Sequence, residues 1–146
     1  MAQLVIDTDV FIAALLSRND SSIAREIIRR CLQGHYQPLF GVALFCEYET
    51  LMSRDKLFVD CQLTKKERES VFAALLKQAR WVEIYFAWRP NLRDEGDNHF
   101  IELAVAGGAE AIVSRNTRDL KNAELLFPEI KILTPKQCLE VFKCPQ

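Results

Sequence analysis

The 146-residue sequence has few of the residues that build disulfide frameworks or zinc sites. Its five cysteines are an odd number, no two of them have C-x-x-C spacing, and there are only two histidines. This usage is typical of free thiols in a reducing cytosol, and it argues against cysteine–histidine metal sites. Carboxylate oxygens are therefore better supported as metal ligands than soft donors.

An excess of charge of one sign and a long apolar run are also missing. The 19 basic and 20 acidic side chains give a net charge of −1, so a nucleic acid would have to bind a local basic patch. No apolar run approaches the ~20 residues that span a bilayer, and the N-terminus lacks the pattern of a signal peptide. We therefore expect one cytoplasmic domain over residues 1–146, without membrane contact.

The chain alternates between short apolar runs and segments with helical spacing of apolar residues. Capping boxes predict helix starts at Thr64 and Thr134, and Gly107-Gly108 predicts a helix end. Five runs have the composition of strands: 4–6, 39–40, 81–86, 111–113 and 130–133. The alternation predicts an α/β fold with a mostly parallel sheet and helices on both faces.

Several carboxylates have positions that bring them to one edge of such a sheet. Asp7 ends the first strand, and Asp119 follows the fourth. Asp97 opens a helix, and Glu47 lies on the apolar stripe of another. Acids that gather at one edge repel each other unless a cation neutralises them, and oxygen ligands suit Mg²⁺ or Mn²⁺. The sequence therefore predicts metal-dependent cleavage of phosphoesters.

Each of these acids also has a structural alternative. Asp7 could cap the helix that follows the first strand, and Glu47 could extend from its stripe to solvent. Asp97 could form a pair of capping residues with Asp94, and Asp119 could cap the short turn that follows it. The joint placement of the acids is a stronger argument than any one of them.

Two further polar residues lie close to these acids in the sequence. Asp9, two residues after Asp7, is interpreted either as the helix cap or as a residue that supports the site from outside the ligand set. His99, two residues after Asp97, is interpreted as a helix-surface residue rather than as a metal ligand.

Four segments follow one another over nearly the whole chain: Val5–Val10, Glu47–Leu51, Arg93–Ala104 with Gly107–Ala109, and Ile112–Leu120. In this order they resemble the PIN-domain ribonucleases, particularly the toxin components related to VapC. The resemblance implies a three-layer α/β/α sandwich around a parallel sheet of about five strands in the order 3-2-1-4-5. It also implies an Mg²⁺- or Mn²⁺-dependent endoribonuclease, a toxin that pairs with a small antitoxin protein and forms a homodimer.

The resemblance further implies roles for individual residues. Asp7, Glu47 and Asp97 correspond to the catalytic acids that hold the metal. The fourth acidic position is occupied by Asn116, which offers a carbonyl oxygen but no charge. Asp119, three residues later, is the acid that would compensate as a metal ligand.

The polar turn after the fourth strand also contains candidate contacts for the substrate. We expect Ser114, Arg115 and Arg118 to lie close to the RNA backbone, together with Arg89 from an earlier loop. Such contacts position a nucleic acid without reading its bases.

Two other functions are compatible with parts of the sequence. Because Asn116 lacks a charge, the domain could be a degenerate module that binds RNA or a protein without cleaving anything. The Asp7-Thr8-Asp9 run also resembles haloacid dehalogenase-type phosphatases, in which Asp7 would be the nucleophile and Asp9 the general acid. Phe11 stands where that family has threonine or valine, which argues against the phosphatase.

Overall fold

The computed structural model describes residues 1–19, 21–84, 98–120 and 127–143, apart from the side chains of Asn98 and Asp119. Strands and helices alternate along these residues, with short 3-10 turns at Asp55–Phe58 and Arg118–Leu120. The strands are β1 (Ala2–Ile6), β2 (Tyr36–Phe40), β3 (Arg80–Trp81), β4 (Ala111–Val113) and β5 (Lys131–Leu133). The helices are α1 (Thr8–Leu16), α2 (Ile23–Leu32), α3 (Val42–Met52), α4 (Lys65–Gln78), α5 (Asn98–Gly107) and α6 (Pro135–Val141).

All five strands are parallel and form one sheet in the order β3-β2-β1-β4-β5, which confirms the predicted α/β/α architecture. β1 is the central strand, and Ile6 is in register with Val113 of β4. Helix α2 packs against α1, α4 and α6, and α5 packs on β1, β2 and β4. Among the helices of the described residues, none is long and apolar enough to cross a membrane.

The central strands are buried because helices cover both faces of the sheet. Leu4, Val5 and Ile112 have no exposed surface. Next to β1, the ring of Tyr48 lies 4.8 Å from that of Phe40 and 5.2 Å from that of Phe11, measured between ring centroids. The Tyr48 hydroxyl donates a hydrogen bond to the carbonyl oxygen of Ile6 at 2.7 Å. Helix α3 is thereby tied to the end of β1.

The predicted capping boxes are present at both helix starts. Thr64 accepts a hydrogen bond from the backbone N–H of Glu67, and the Glu67 side chain accepts one from the N–H of Thr64. Thr134 makes the same reciprocal pair with Gln137, and Pro135 occupies the first position of α6. Each box satisfies backbone donors that the helix start would otherwise leave without partners.

Two predictions about local structure are wrong. The strand expected at 81–86 begins at Arg80 and ends at Trp81, and both residues pair with β2. The N–H of the next residue, Val82, still donates a hydrogen bond to the carbonyl of Phe40. Ile84 is exposed, so the buried alternation that predicted a longer strand is not maintained, and residues 85 and 86 lie outside the described ranges. The spacing of Cys138, Val141 and Phe142 predicts that all three dock α6; Cys138 is buried and Phe142 packs against the core, but Val141 is 44% exposed.

The cysteines in the described part of the chain are free thiols, as predicted: Cys31, Cys46, Cys61 and Cys138. Cys144 lies outside the described residues. Cys138 is fully buried, and this burial raises the pKa of its thiol to about 12. The thiol is therefore protonated and unreactive at neutral pH.

Gly107 ends α5 where a side chain would have no room. A Cβ there would lie 2.7 Å from Cδ1 of the buried Leu39 and 3.0 Å from Cγ2 of Val82. We expect Gly107→Ala to lower the free energy of unfolding by about 1–3 kcal/mol, as measured by urea denaturation. Ala106→Ser, at the exposed neighbouring position, is the control and should stay within about 0.5 kcal/mol. Equal effects of the two changes would contradict this close packing.

Candidate active site

The candidate site lies where β1 and β4 end side by side. Because Ile6 and Val113 are in register, the next residues of the two strands, Asp7 and Ser114, are neighbours. The N–H of Asp7 donates to the carbonyl of Val113 at 2.8 Å, and the Ser114 hydroxyl donates to Asp7 Oδ2 at 2.7 Å. Asp7 occupies the cap position of α1, but its side chain makes no capping hydrogen bond. The strongest hydrogen bond of its carboxylate is therefore the one from Ser114 rather than one from the start of α1.

Glu47 faces this edge of the sheet from α3. Its Oε1 accepts a hydrogen bond from the Thr8 hydroxyl at 2.7 Å, and its Oε2 lies 2.8 Å from Nε2 of His99. The Glu47 side chain is 34% exposed, whereas the neighbouring Glu49 is classed as exposed. The alternative in which Glu47 simply extends into solvent does not fit these two contacts.

Asp9 meets the turn that follows β4. Its two carboxylate oxygens lie 3.3 and 3.2 Å from the backbone nitrogen of Arg115, which donates to them. In the same turn, the N–H of Asn116 donates to the Ser114 hydroxyl oxygen at 3.1 Å. Ser114 is completely buried, and its hydroxyl links this turn to Asp7 through the two hydrogen bonds.

The electrostatics of the site are dominated by crowded negative charge. The pKa of Asp7 is raised from 3.8 to about 7, mainly by burial and then by the charge of Asp9. The hydrogen bond from Ser114 opposes this increase, and the charge of Glu47 adds to it. Burial also raises the pKa of Asp9. A carboxylate held this way is stabilised by a nearby cation.

Glu47 has the opposite shift. Burial acts to raise its pKa, but the hydrogen bonds from His99 and Thr8 outweigh burial, and the pKa is lowered. Glu47 is therefore ionised at neutral pH. The site thus combines two kinds of carboxylate: Glu47 is ionised at neutral pH, whereas Asp7 has a pKa close to 7 and is only partly ionised there.

The chemistry of these donors fits a hard divalent cation. Carboxylate and hydroxyl oxygens face one edge of the sheet, and such oxygens are preferred by Mg²⁺ and Mn²⁺. Within the described ranges, no three acidic, histidine or cysteine side chains are grouped closely enough to hold a metal ion by themselves. Asp97, predicted as a third ligand, lies outside these ranges, as do Asp94 and Arg89.

The remaining predicted residues follow β4. Asn116 and Arg118 are exposed, and Arg118 begins the 3-10 turn that also contains Asp119. The backbone of Asp119 is described, but its side chain is not, so its predicted roles as metal ligand or cap stay predictions. Arg115 is exposed next to Asp9.

His99 is the residue that the sequence interpretation missed. The sequence predicts a position on the helix surface, but the side chain is 18% exposed and contacts Glu47. One signal could have found it. His99 lies one helical turn before Leu103, which is fully buried, so both share the inner side of α5.

A cleft of about 620 Å³ adjoins the site on the side of Arg115. It lies between the end of α1, the start of α2 and the start of α6. Two cationic side chains, those of Arg115 and Lys136, border it. The other lining residues are Ala13, Leu16, Ser17, Ser22, Ile23, Ala24, Thr134 and Pro135.

Comparison with known proteins agrees with the fold. The model of the PIN domain family matches residues 3–118 of the chain. A chain in the crystal structure of VapBC2 from Rickettsia felis, bound to a DNA fragment from their promoter, superposes with a TM-score of 0.54 at 11% identity. The superposition covers 90% of this chain and 98% of that chain, and it shows a shared fold. No protein of curated function matches the sequence.

Proposed function

Because this chain belongs to the PIN-domain family, whose members are generally nucleases, we propose that it is a metal-dependent endoribonuclease. The observation that carries the proposal is the placement of Asp7 and Glu47. They come from different elements, and the charge of Glu47 raises the pKa of Asp7. Both carboxylates lie at the carboxyl edge of the parallel sheet, which is where α/β folds bind their ligands.

PIN domains generally use divalent metal ions, and we propose Mg²⁺ or Mn²⁺ for this chain. Asp7, Glu47 and Asp97 would hold the ion, with Asp119 as a further ligand. A bound divalent ion supplies a more acidic water and offsets the charge that develops on the phosphate. Ser114 orients the Asp7 carboxylate through its hydrogen bond.

Glu47 and Asn116 complete the proposed catalytic set. Glu47 is ionised, so it can accept a hydrogen bond from the attacking water and orient it. Asn116 contributes a carbonyl oxygen, and its backbone N–H holds the Ser114 hydroxyl. The hydrolysis is the addition of water to the phosphorus with departure of one ribose oxygen.

We propose that the RNA backbone passes through the cleft bordered by Arg115 and Lys136. Arg118, from the same turn as Arg115, would contact the phosphates nearer the acids, whereas Ser114 is buried and donates to Asp7 instead. The cations of Arg115 and Lys136 would neutralise the RNA phosphates inside the cleft. Such a local patch is needed because the net charge of −1 provides no overall attraction for RNA.

The cleft gives a prediction about RNA affinity. In an Asp7→Asn background that prevents cleavage, changing Arg115 and Lys136 together to alanine should weaken binding of a single-stranded RNA at least about tenfold. It should also reduce the slope of log affinity against log salt by about 0.7 for each phosphate that is no longer neutralised. Lys77→Ala, exposed on α4, is the control. Fluorescence anisotropy in a salt series measures both quantities, and unchanged slopes in the double variant would contradict this path.

The substrate class can be tested with matched oligonucleotides. The purified protein with Mn²⁺ or Mg²⁺ should cleave a single-stranded RNA and leave the DNA of the same sequence intact. Cleavage of DNA alone would overturn the RNA assignment. Tight RNA binding without cleavage would favour the degenerate binding module, which the missing charge at Asn116 supports. The phosphatase alternative predicts aspartyl-phosphate on Asp7 and no cleavage of either oligonucleotide.

We also propose that the chain is the toxin of a toxin–antitoxin pair. The fold that it shares with a chain of the VapBC2 structure supports this proposal. Expression of the wild type should arrest growth, co-expression of a small neighbouring reading frame should relieve the arrest, and Asp7→Asn should not arrest growth. Light scattering of the purified chain tests the homodimer that the family resemblance implies.

A further inference from the structure

We propose that His99 is a positioning residue that holds the carboxylate of Glu47 in the orientation in which it binds the metal. This inference rests on the proposed function. The observation behind it is the 2.8 Å contact between His99 Nε2 and Glu47 Oε2. The two residues are 52 positions apart and belong to α5 and α3, so the contact forms only in the folded chain.

In this hydrogen bond the imidazole of His99 is the donor and the carboxylate of Glu47 is the acceptor. Ionised Glu47 has only acceptor oxygens, so Nε2 must carry the proton that is shared between the two side chains. Nδ1 is buried and has no hydrogen-bond partner within the described part of the chain. The ring lies against Phe100, with 4.1 Å between the ring centroids. The imidazole is therefore held in place with one of its two nitrogens directed at Glu47.

Glu47 is held from two sides at once. The Thr8 hydroxyl of α1 occupies Oε1, and His99 of α5 occupies Oε2. Each carboxylate oxygen has two lone pairs, so both oxygens keep one for a metal ion or water. A carboxylate fixed by two donors loses little rotational freedom when it binds a cation. Hydrogen bonds of this kind to metal ligands are commonly worth 10- to 100-fold in metal affinity.

Helix α5, which carries His99, is fixed in place by its packing on the core. Phe100 and Leu103 are buried in the core, and at the end of the helix a Cβ added to Gly107 would lie 2.7 Å from Cδ1 of Leu39. His99 therefore approaches Glu47 from a helix that is closely packed on the core. Side chains on packed helices place metal ligands more accurately than side chains on loops.

Two substitutions separate the donor from the packing. His99→Gln keeps an N–H near the position of Nε2, whereas His99→Leu keeps a side chain of similar size and removes the donor. Val105→Ala, at an exposed position of the same helix, is the matched control. Thermal denaturation first establishes that each variant is folded.

Binding of Mn²⁺ alone, without RNA, is measured by calorimetry. We expect His99→Leu to bind Mn²⁺ at least about tenfold more weakly than the wild type, and His99→Gln to stay within about threefold. In the cleavage assay, kcat should fall in His99→Leu while KM for RNA stays within about twofold. A purely structural role would lower the stability of both His99 variants and leave Mn²⁺ affinity unchanged in the folded fraction.

A metal-free double-mutant cycle keeps the two proposals distinguishable. The unfolding equilibria of His99→Leu, Glu47→Gln and the double variant should be non-additive by at least about threefold if the side chains interact. Additive effects, or wild-type Mn²⁺ affinity in His99→Leu, would overturn the role of His99 and leave the proposed nuclease standing. A wild type that neither binds Mn²⁺ nor cleaves RNA would contradict the proposed function, and with it the role of His99.

Discussion

Replacing Asp7 with asparagine is expected to stabilise the metal-free protein while it removes nuclease activity. Burial raises the pKa of Asp7 to about 7, and the charges of Asp9 and Glu47 add to the effect of burial. Asparagine keeps an oxygen that can accept the hydrogen bond from Ser114 but carries no charge. Activity should fall at least about 100-fold, because the first metal ligand and its charge are removed. A gain of stability on removing the charge of a side chain identifies a site that is organised for ligand binding rather than for folding.

The pH dependence of this stabilisation has a definite sign. The folded state binds the Asp7 proton up to about pH 7, whereas the unfolded chain releases it near 3.8. The wild type therefore loses stability as the pH rises through this window, and it stays destabilised above it. Each unit of the shift corresponds to about 1.4 kcal/mol. Because the site is partly open to water, we expect a gain of about 2 kcal/mol for Asp7→Asn at pH 8 and almost none at pH 4.

Urea denaturation in EDTA at the two pH values measures this effect. The control is Asp60→Asn, which removes one charge from an exposed position. It should change the free energy of unfolding by less than about 0.5 kcal/mol at both pH values. A destabilised Asp7→Asn at pH 8, or a gain that is the same at pH 4, would contradict the electrostatic description of the site.

Tyr48 is expected to have the largest effect on stability among residues that support the site. Tyr48→Ala would open a cavity among Phe11, Phe40 and Phe72, and we expect a loss of about 3–5 kcal/mol. Tyr48→Phe keeps the ring and removes only the hydrogen bond to Ile6, which should cost about 1–2 kcal/mol.

These two losses are measured by denaturation against Val42→Ala, an exposed change on the same helix. Tyr48 and Ile6 directly neighbour Glu47 and Asp7 in the sequence, so their hydrogen bond links the two acids through the backbone. We therefore expect Tyr48→Phe to lower cleavage activity as well. Stability equal to the wild type in Tyr48→Phe would show that this hydrogen bond contributes nothing.

The parts of the fold that could be predicted depend on short-range patterns. The run before Asp7 is apolar on both faces, which is typical of a central parallel strand, and β1 is central in the sheet. The capping boxes at Thr64 and Thr134 are local hydrogen-bond patterns, so tertiary packing does not alter them. The strand order follows from the family resemblance, because hydrophobic patterns do not specify which strands pair.

The parts that could not be predicted depend on contacts between distant residues. The pairing of β3 with β2 stops after Trp81. The alternation of apolar residues over 81–86 predicts a strand but does not predict where its pairing with a neighbouring strand ends. The sequence predicts a surface position for His99 because its partner, Glu47, is 52 positions away. Ser114 is predicted to contact RNA, but it is buried and donates to Asp7, a contact that follows from the register of β1 and β4.

The most direct test of the proposed function is reversible loss of RNA cleavage on removing the metal. One preparation is assayed with Mn²⁺, then with excess EDTA, and again after Mn²⁺ is restored, with Asp7→Asn treated in parallel. We expect cleavage by the wild type that disappears with EDTA and returns with Mn²⁺, and no cleavage by Asp7→Asn in any of the three. Equal cleavage with and without EDTA, or cleavage by the variant, would contradict a metal-dependent nuclease built on Asp7.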